Sequence, residues 1–131
     1  MKKLITVLLF TTFIIANLSA QNSKQTKKEN AKPKVTFIEL GSVNCIPCKM
    51  MQPVMKAIET KYSGQVKVIF HDVWTDNGKP YAEKYGIKLI PTQVFLDERG
   101  KEFFRHEGFY PEKEIDKLLL TKGIKPVSKK S

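Results

Sequence analysis

The feature that most constrains the fold is a change of hydrophobic period between residues 35 and 64. Val35 to Leu40 is a short apolar run rich in β-formers, with Glu39 as its odd member, and it reads as a buried strand. Gly41 to Asn44 reads as a loop. From Pro47 onward, Met50, Met51, Val54, Met55, Ile58 and Tyr62 recur at helical spacing until Gly64 closes the segment. Proline is well tolerated in a first helical turn, where its missing N–H would have no partner. Pro53, inside the same helix, is expected to kink it. Gln65 to Val73 then alternates Val66, Val68 and Phe70 against polar neighbours. A strand, a crossover helix and a second strand imply a parallel pair.

Downstream, Asp76-Asn77-Gly78 is turn material, and Pro80 to Tyr85 is a short helix ended by Gly86. Thr92 to Leu96 is a third strand. Asp97-Glu98-Arg99-Gly100 forms a hairpin turn into a returning strand, Lys101 to Glu107. Glu112 to Leu120 is a final amphipathic helix with Ile115, Leu118 and Leu119 on one face. The order β-α-β-α-β-β-α predicts an α/β fold: a central mixed sheet of about four strands flanked by helices, with an antiparallel edge from the late hairpin.

At 131 residues the chain has room for one domain. Residues 1–20 read as a secretory signal peptide. Lys2 and Lys3 precede a charge-free, mostly apolar run from Leu4 to Ala16, and Asn17-Leu18-Ser19-Ala20 forms the exit. Cleavage is expected after Ala20, which places the domain outside the cytoplasm, in the periplasm or an equivalent compartment. The run is short for a membrane-spanning helix, which needs about 20 apolar residues. Residues 21–33 form a polar, lysine-rich linker, 34–121 the domain, and 122–131 a basic tail. The net charge of +10 is concentrated toward the two ends. Lysine without arginine or interleaved aromatics is a poor nucleic-acid signature, so these ends read as solvated tails and no nucleic-acid partner is expected.

The two cysteines sit as Cys45-Ile46-Pro47-Cys48 where the loop meets the helix. Three readings compete. A structural zinc site needs four N or S ligands, and His71 and His106 are distant and unpaired in spacing, so no metal is expected. A staple across so short a loop removes little unfolded-state entropy. A redox pair fits best. The helix N-terminus offers partial positive charge and free N–H groups that stabilise a thiolate at Cys45, while Cys48, one turn inside, is shielded and able to resolve a mixed disulfide.

Phe37-Ile38-Glu39-Leu40, Cys45-Ile46-Pro47-Cys48-Lys49-Met50-Met51-Gln52-Pro53 and Tyr85-Gly86-Ile87 with Ile90-Pro91-Thr92 together resemble the thioredoxin family. Gly100 and Gly108 also fall where that family places glycines. The resemblance runs from about Val35 to Leu120. It implies a thioredoxin-like fold and a thiol–disulfide oxidoreductase that exchanges electrons with protein disulfides and binds no cofactor. It further implies a cis Ile90–Pro91 bond facing the cysteines, with backbone groups beside it free to pair with an extended substrate. Glu39 stands where the family carries a buried acid; its pKa is expected to be raised, and it would take a proton from Cys48. The peptide groove is expected to be bordered by Asn44, Ile46, Pro47, Ile90, Pro91, Thr92, Gly108 and Phe109.

The chain departs from the family pattern in places. Asn44 replaces the tryptophan usual before the first cysteine, and Trp74 is expected to pack at a strand end rather than replace it. Phe70 stands near where the family often has a lysine. The residues before Val35 are too few for the family's full first strand and helix. Ile46-Pro47 offers no thiolate stabiliser, which favours a reductant over an oxidant. A reductant outside the cytoplasm needs recharging, so a membrane electron-donor protein is an expected partner, and the protein is expected to be monomeric. The alternatives are a disulfide isomerase or oxidase, or a non-enzymatic peptide-binding module of the same fold.

Overall fold

In the computed structural model, which describes residues 32–127, β1 (Val35–Gly41) lies inside a four-stranded sheet of order β2-β1-β3-β4. The expected signal peptide, most of the linker and residues 128–131 lie outside the described residues. β1 pairs in parallel with β2 (Val66–Asp72) and antiparallel with β3 (Thr92–Asp97), which pairs antiparallel with β4 (Glu102–Glu107). The helices are α1 (Ile46–Lys61), α2 (Lys79–Lys84) and α3 (Glu112–Thr121). The four-stranded mixed, thioredoxin-like sheet expected from the sequence is the one observed among the described residues.

Each face of the sheet carries its own core, which is why β1 reads as a nearly continuous apolar run rather than an alternating one. On one face, Val35, Phe37 and Phe95 pack with Met51, Val54, Met55 and Ile58 of α1 and with Ile115 and Leu119 of α3. Phe37 and Phe95 are register partners and stack with ring centroids 4.7 Å apart, a contact worth about 0.5–1.5 kcal/mol beyond its buried area. On the other face, Ile38, Leu40 and Val94 pack with Tyr81 and Ala82 of α2 and with Tyr85 just beyond it. Val35, Phe37, Glu39 and Gly41 point to the α1 side, since alternate residues of a strand share a face.

α1 begins one residue earlier than expected, because Cys45 serves as its N-cap, and it continues through Pro53 without a break. At its far end, Lys61 pairs with Asp116 at 2.8 Å, and the Tyr62 hydroxyl donates to the same carboxylate at 2.8 Å, fastening α1 to α3.

The described part of the segment expected to be a basic tail, residues 122–127, is held against the domain. Ile124 is 1% exposed and belongs to the α1-side core. The Gln65 side chain donates to the Lys125 carbonyl, and the Val127 N–H donates to the Lys61 carbonyl. Ile124 and Val127, set among lysines, a glycine and a proline, give no periodic signal, so the burial of Ile124 is not readable locally. At the other end, the N–H groups of Lys34 and Val35 both donate to the Gln65 carbonyl.

Candidate active site

β1 and α1 meet at the cysteines. Gly41, the last residue of β1, lies so close to α1 that a Cβ there would stand 3.2 Å from Cys48 Sγ and 3.4 Å from the Phe70 ring. Few real Cβ contacts are that tight, so this glycine lets the helix seat Cys48 against the strand. Cys45 caps α1 in extended conformation (φ −92°, ψ 125°), and its Sγ accepts the Cys48 N–H at 3.3 Å. Cys45 N–H donates to the Ser42 carbonyl, and the Ser42 hydroxyl accepts from Asn44 N–H. The two cysteines are joined as a disulfide with Cα atoms 5.2 Å apart. Cys45 keeps 8% of its surface exposed and Cys48 none, the asymmetry expected of an attacking and a resolving thiol.

The loop ahead of Cys45 is tied to the end of β2 by Asp72. Its carboxylate accepts the N–H groups of Val43 (3.2 Å) and Trp74 (3.1 Å). Partial desolvation works against this carboxylate's charge, but the two N–H groups and the Ser42 hydroxyl outweigh it and hold the pKa below the usual range.

Ile90–Pro91 is cis, as the resemblance implies. Thr92 pairs with Leu40, next to Gly41, so Pro91 lies at the cysteine end of the sheet. Thr92 is buried and its hydroxyl donates to the Leu89 carbonyl at 2.7 Å. Gly108 donates to the Pro91 carbonyl at 2.7 Å with φ +93°, a conformation that favours glycine. That contact carries the loop bearing Phe109 to the same end. Val43, Ile46, Trp74, Leu89 and Phe109 are all exposed, and Asn44 and Pro47 are exposed beside them. Ile90 is half-buried and Pro91 buried. Ile90, Pro91, Thr92, Gly108 and Phe109 thus lie at the end of the sheet from which the loop to Cys45 leaves β1. Trp74 differs from expectation: it stands at the end of β2 but is 63% exposed rather than packed. Its N–H is engaged by Asp72 while the ring is left outside both cores.

Glu39 is fully buried on the α1 side of β1, two residues before Gly41 and therefore on the face that receives Cys48. Burial pushes its pKa from an ordinary 4.5 to about 8, against a smaller opposing effect from the Gln93 amide. The sequence reading missed Gln93. It is fully buried, is the register partner of Glu39 on β3, and donates to Glu39 Oε1 at 3.4 Å. Its only sequence signal is a polar residue inside the apolar run Thr92–Leu96. His71 belongs to the other face, stacked on Tyr81 at 3.5 Å. His106 stacks on Tyr110 at 4.3 Å with its Nε2 3.2 Å from the Phe109 carbonyl oxygen. Both histidine rings are taken up in aromatic stacks.

A disulfide at a helix N-terminus, its first cysteine slightly exposed and its second enclosed, defines a thiol–disulfide exchange centre. The family model described as a thioredoxin-like domain matches residues 20–122. Among curated proteins, the chain is similar to the SPbeta prophage-derived thioredoxin-like protein YosR of Bacillus subtilis, 33% identical over 83 residues, spanning 63% of this chain and 92% of that one. It is also similar to thioredoxin 1 of Synechococcus elongatus, 35% identical over 85 residues, spanning 64% and 76%. Among solved structures, thioredoxin NaTrxh of Nicotiana alata matches with a TM-score of 0.58 and 32% identity, covering 72% of this chain and 76% of that one. The chain belongs to the thioredoxin family. With its Cys-x-x-Cys pair at disulfide distance, it is a thiol–disulfide oxidoreductase.

Proposed function

We propose that this is an exported reductant of protein disulfides, with Cys45 as nucleophile, Cys48 as resolving thiol and Glu39 as proton acceptor. The observation that carries the reading is the Cys48 N–H aimed at Cys45 Sγ, with Cys48 wholly enclosed behind it. In the reduced protein the Cys45 thiolate attacks one sulfur of a substrate disulfide, and the other sulfur leaves as a thiolate. Cys48 then gives up its proton and attacks Cys45 Sγ. The second substrate thiolate leaves, two electrons have passed to the substrate, and the Cys45–Cys48 bond is formed. The exposed apolar rim of Val43, Ile46, Trp74, Leu89 and Phe109 would receive an extended peptide beside Pro91.

The direction follows from Ile46-Pro47. Neither side chain donates a hydrogen bond or positive charge to the Cys45 sulfur, so the reduced form is only modestly stabilised and the disulfide is weakly oxidising. A reductant of this kind is recharged by a membrane electron-donor protein, and residues 1–20 would direct its export. Equilibration with glutathione should give a potential nearer the thioredoxin value of about −270 mV than the strong-oxidant value of about −120 mV. A potential above about −180 mV, where protein disulfide isomerase lies, would make disulfide formation or shuffling the task. Insulin reduction by the reduced protein, abolished in Cys45→Ser, tests the activity. Amino-terminal sequencing of protein recovered from outside the cytoplasm, expected to begin at Gln21, tests export.

A further inference from the structure

Two atoms at the Glu39–Gln93 pair lack partners among the described residues: Glu39 Oε2 and Gln93 Oε1, both buried. The one hydrogen bond to the Glu39 side chain there comes from Gln93 Nε2. Burying an amide without full hydrogen bonding is costly, and the neighbouring residues of β3, Val94 and Phe95, are apolar and wholly buried. We propose that Gln93 is the positioning residue of the proton acceptor: its amide N–H holds Glu39 Oε1, leaving Oε2 as the atom that takes the proton of Cys48. This rests on the reading of Glu39 given above and deepens it.

Three geometric facts support it. Glu39 and Gln93 are register partners on adjacent strands, so their side chains leave the sheet on the same face and meet across it. The next register pair on that face is the Phe37–Phe95 stack, which closes one side of the carboxyl. On the other side, Gly41, two residues on and on the same face, opens that face to Cys48. The carboxyl is therefore bounded by aromatic rings, an amide and the resolving cysteine.

The titratable groups that lie toward this face are Cys45 and Cys48 at the start of α1, Asp72 on β2, His106, the register partner of Gln93 on β4, and Tyr110, packed on Phe95 and His106. Phe70 occupies the β2 position opposite Glu39. None of these groups bonds to the carboxyl; Asp72 is engaged by Val43 and Trp74, and His106 lies at Phe109. A neutral amide in that place favours the carboxylate without fixing it in charged form, as a cation would. Glu39 can then receive the proton as Cys48 Sγ forms the S–S bond, and return it when the disulfide is reduced again.

The test is the pH dependence of insulin reduction, with kcat and KM separated. In wild-type protein the rate should rise with pH through about 8. Gln93→Leu removes the only donor to the carboxylate among the described residues, so the rising limb should move to higher pH. The rate at pH 7 should fall roughly three- to tenfold, with KM and the limiting alkaline rate unchanged. Gln93→Met should behave the same way and guards against a packing effect of leucine. In a Glu39→Gln background, Gln93→Leu should produce no further shift. A limb that moves in Glu39→Gln but stays in place in both Gln93 variants overturns the proposal alone. A limb that does not move in Glu39→Gln overturns it together with the proton-acceptor reading. Should the Gln93 variants fail to fold, the side-chain amide resonances of Gln93 in wild-type protein decide: they must shift as Glu39 titrates, and resonances that stay put overturn the proposal.

Discussion

The backbone N–H of Cys48 donates to the Sγ of Cys45 across a single turn, at 3.3 Å. In the reduced protein the same N–H, with the helix terminus behind it, faces the Cys45 thiolate and favours its charged form. Cys45 should accordingly ionise below the roughly 8.5 of a free cysteine, and Cys48, wholly enclosed, above it. Alkylation of the reduced protein at graded pH, read by mass spectrometry, should label Cys45 first. Preferential labelling of Cys48 would reverse the assignment.

Cys48→Ser should accumulate mixed disulfides through Cys45, because the attacking sulfur remains while the resolving one is gone. Cys45→Ser should accumulate few, since Cys48 lies behind Gly41 and has no exposed surface. Non-reducing gels of the two variants after incubation with oxidised substrate compare them directly, and equal trapping would count against the division of roles.

Glu39 also ties stability to pH. Its folded-state pKa of about 8 stands above the ordinary 4.5, so the folded protein holds this proton more tightly than the unfolded chain. The stability so gained is complete below about pH 4.5, is lost progressively as pH rises, and is gone above about pH 8. Fully ionised, the carboxyl costs on the order of 5 kcal/mol relative to its protonated form. Oxidised Glu39→Gln should therefore unfold at nearly the same temperature as wild type at pH 5 and at a distinctly higher one at pH 8. Parallel melting curves at the two pH values would sink this assignment if they shifted alike.

Ile124→Ala should destabilise the domain by about 2–5 kcal/mol, since Ile124 is a core residue rather than part of a solvated tail. Chemical denaturation of the variant measures this. A change below about 0.5 kcal/mol, the usual range for surface positions, would return the segment to solvent.

What the sequence revealed was carried by local periodicity and short spacing. The switch of period at Pro47 located α1, and Cys45 and Cys48 at its start identified the chemistry. Ile90-Pro91-Thr92 marked the entry to β3. What it hid depends on which strands lie side by side. Gln93 reads as one polar residue in an apolar run, and only the β1–β3 register sets it against Glu39. Asp72 joins the loop before Cys45 to β2 through contacts 29 residues apart. Trp74 is expected to pack at a strand end, yet it is exposed there, its backbone N–H held by Asp72. Ile124 belongs to the core shared by the sheet, α1 and α3, an environment that no pattern within its own segment encodes.

The bonds of Lys34 to Gln65 and of Val127 to Lys61 fix the polarity of the whole domain. α1 runs 16 residues, about 24 Å, with the cysteines at its start and Lys61 at its end. Chain entry and chain exit are thus moored together at the pole opposite the disulfide. The reactive sulfur therefore stands at the far end of α1 from both residue 34 and residue 127.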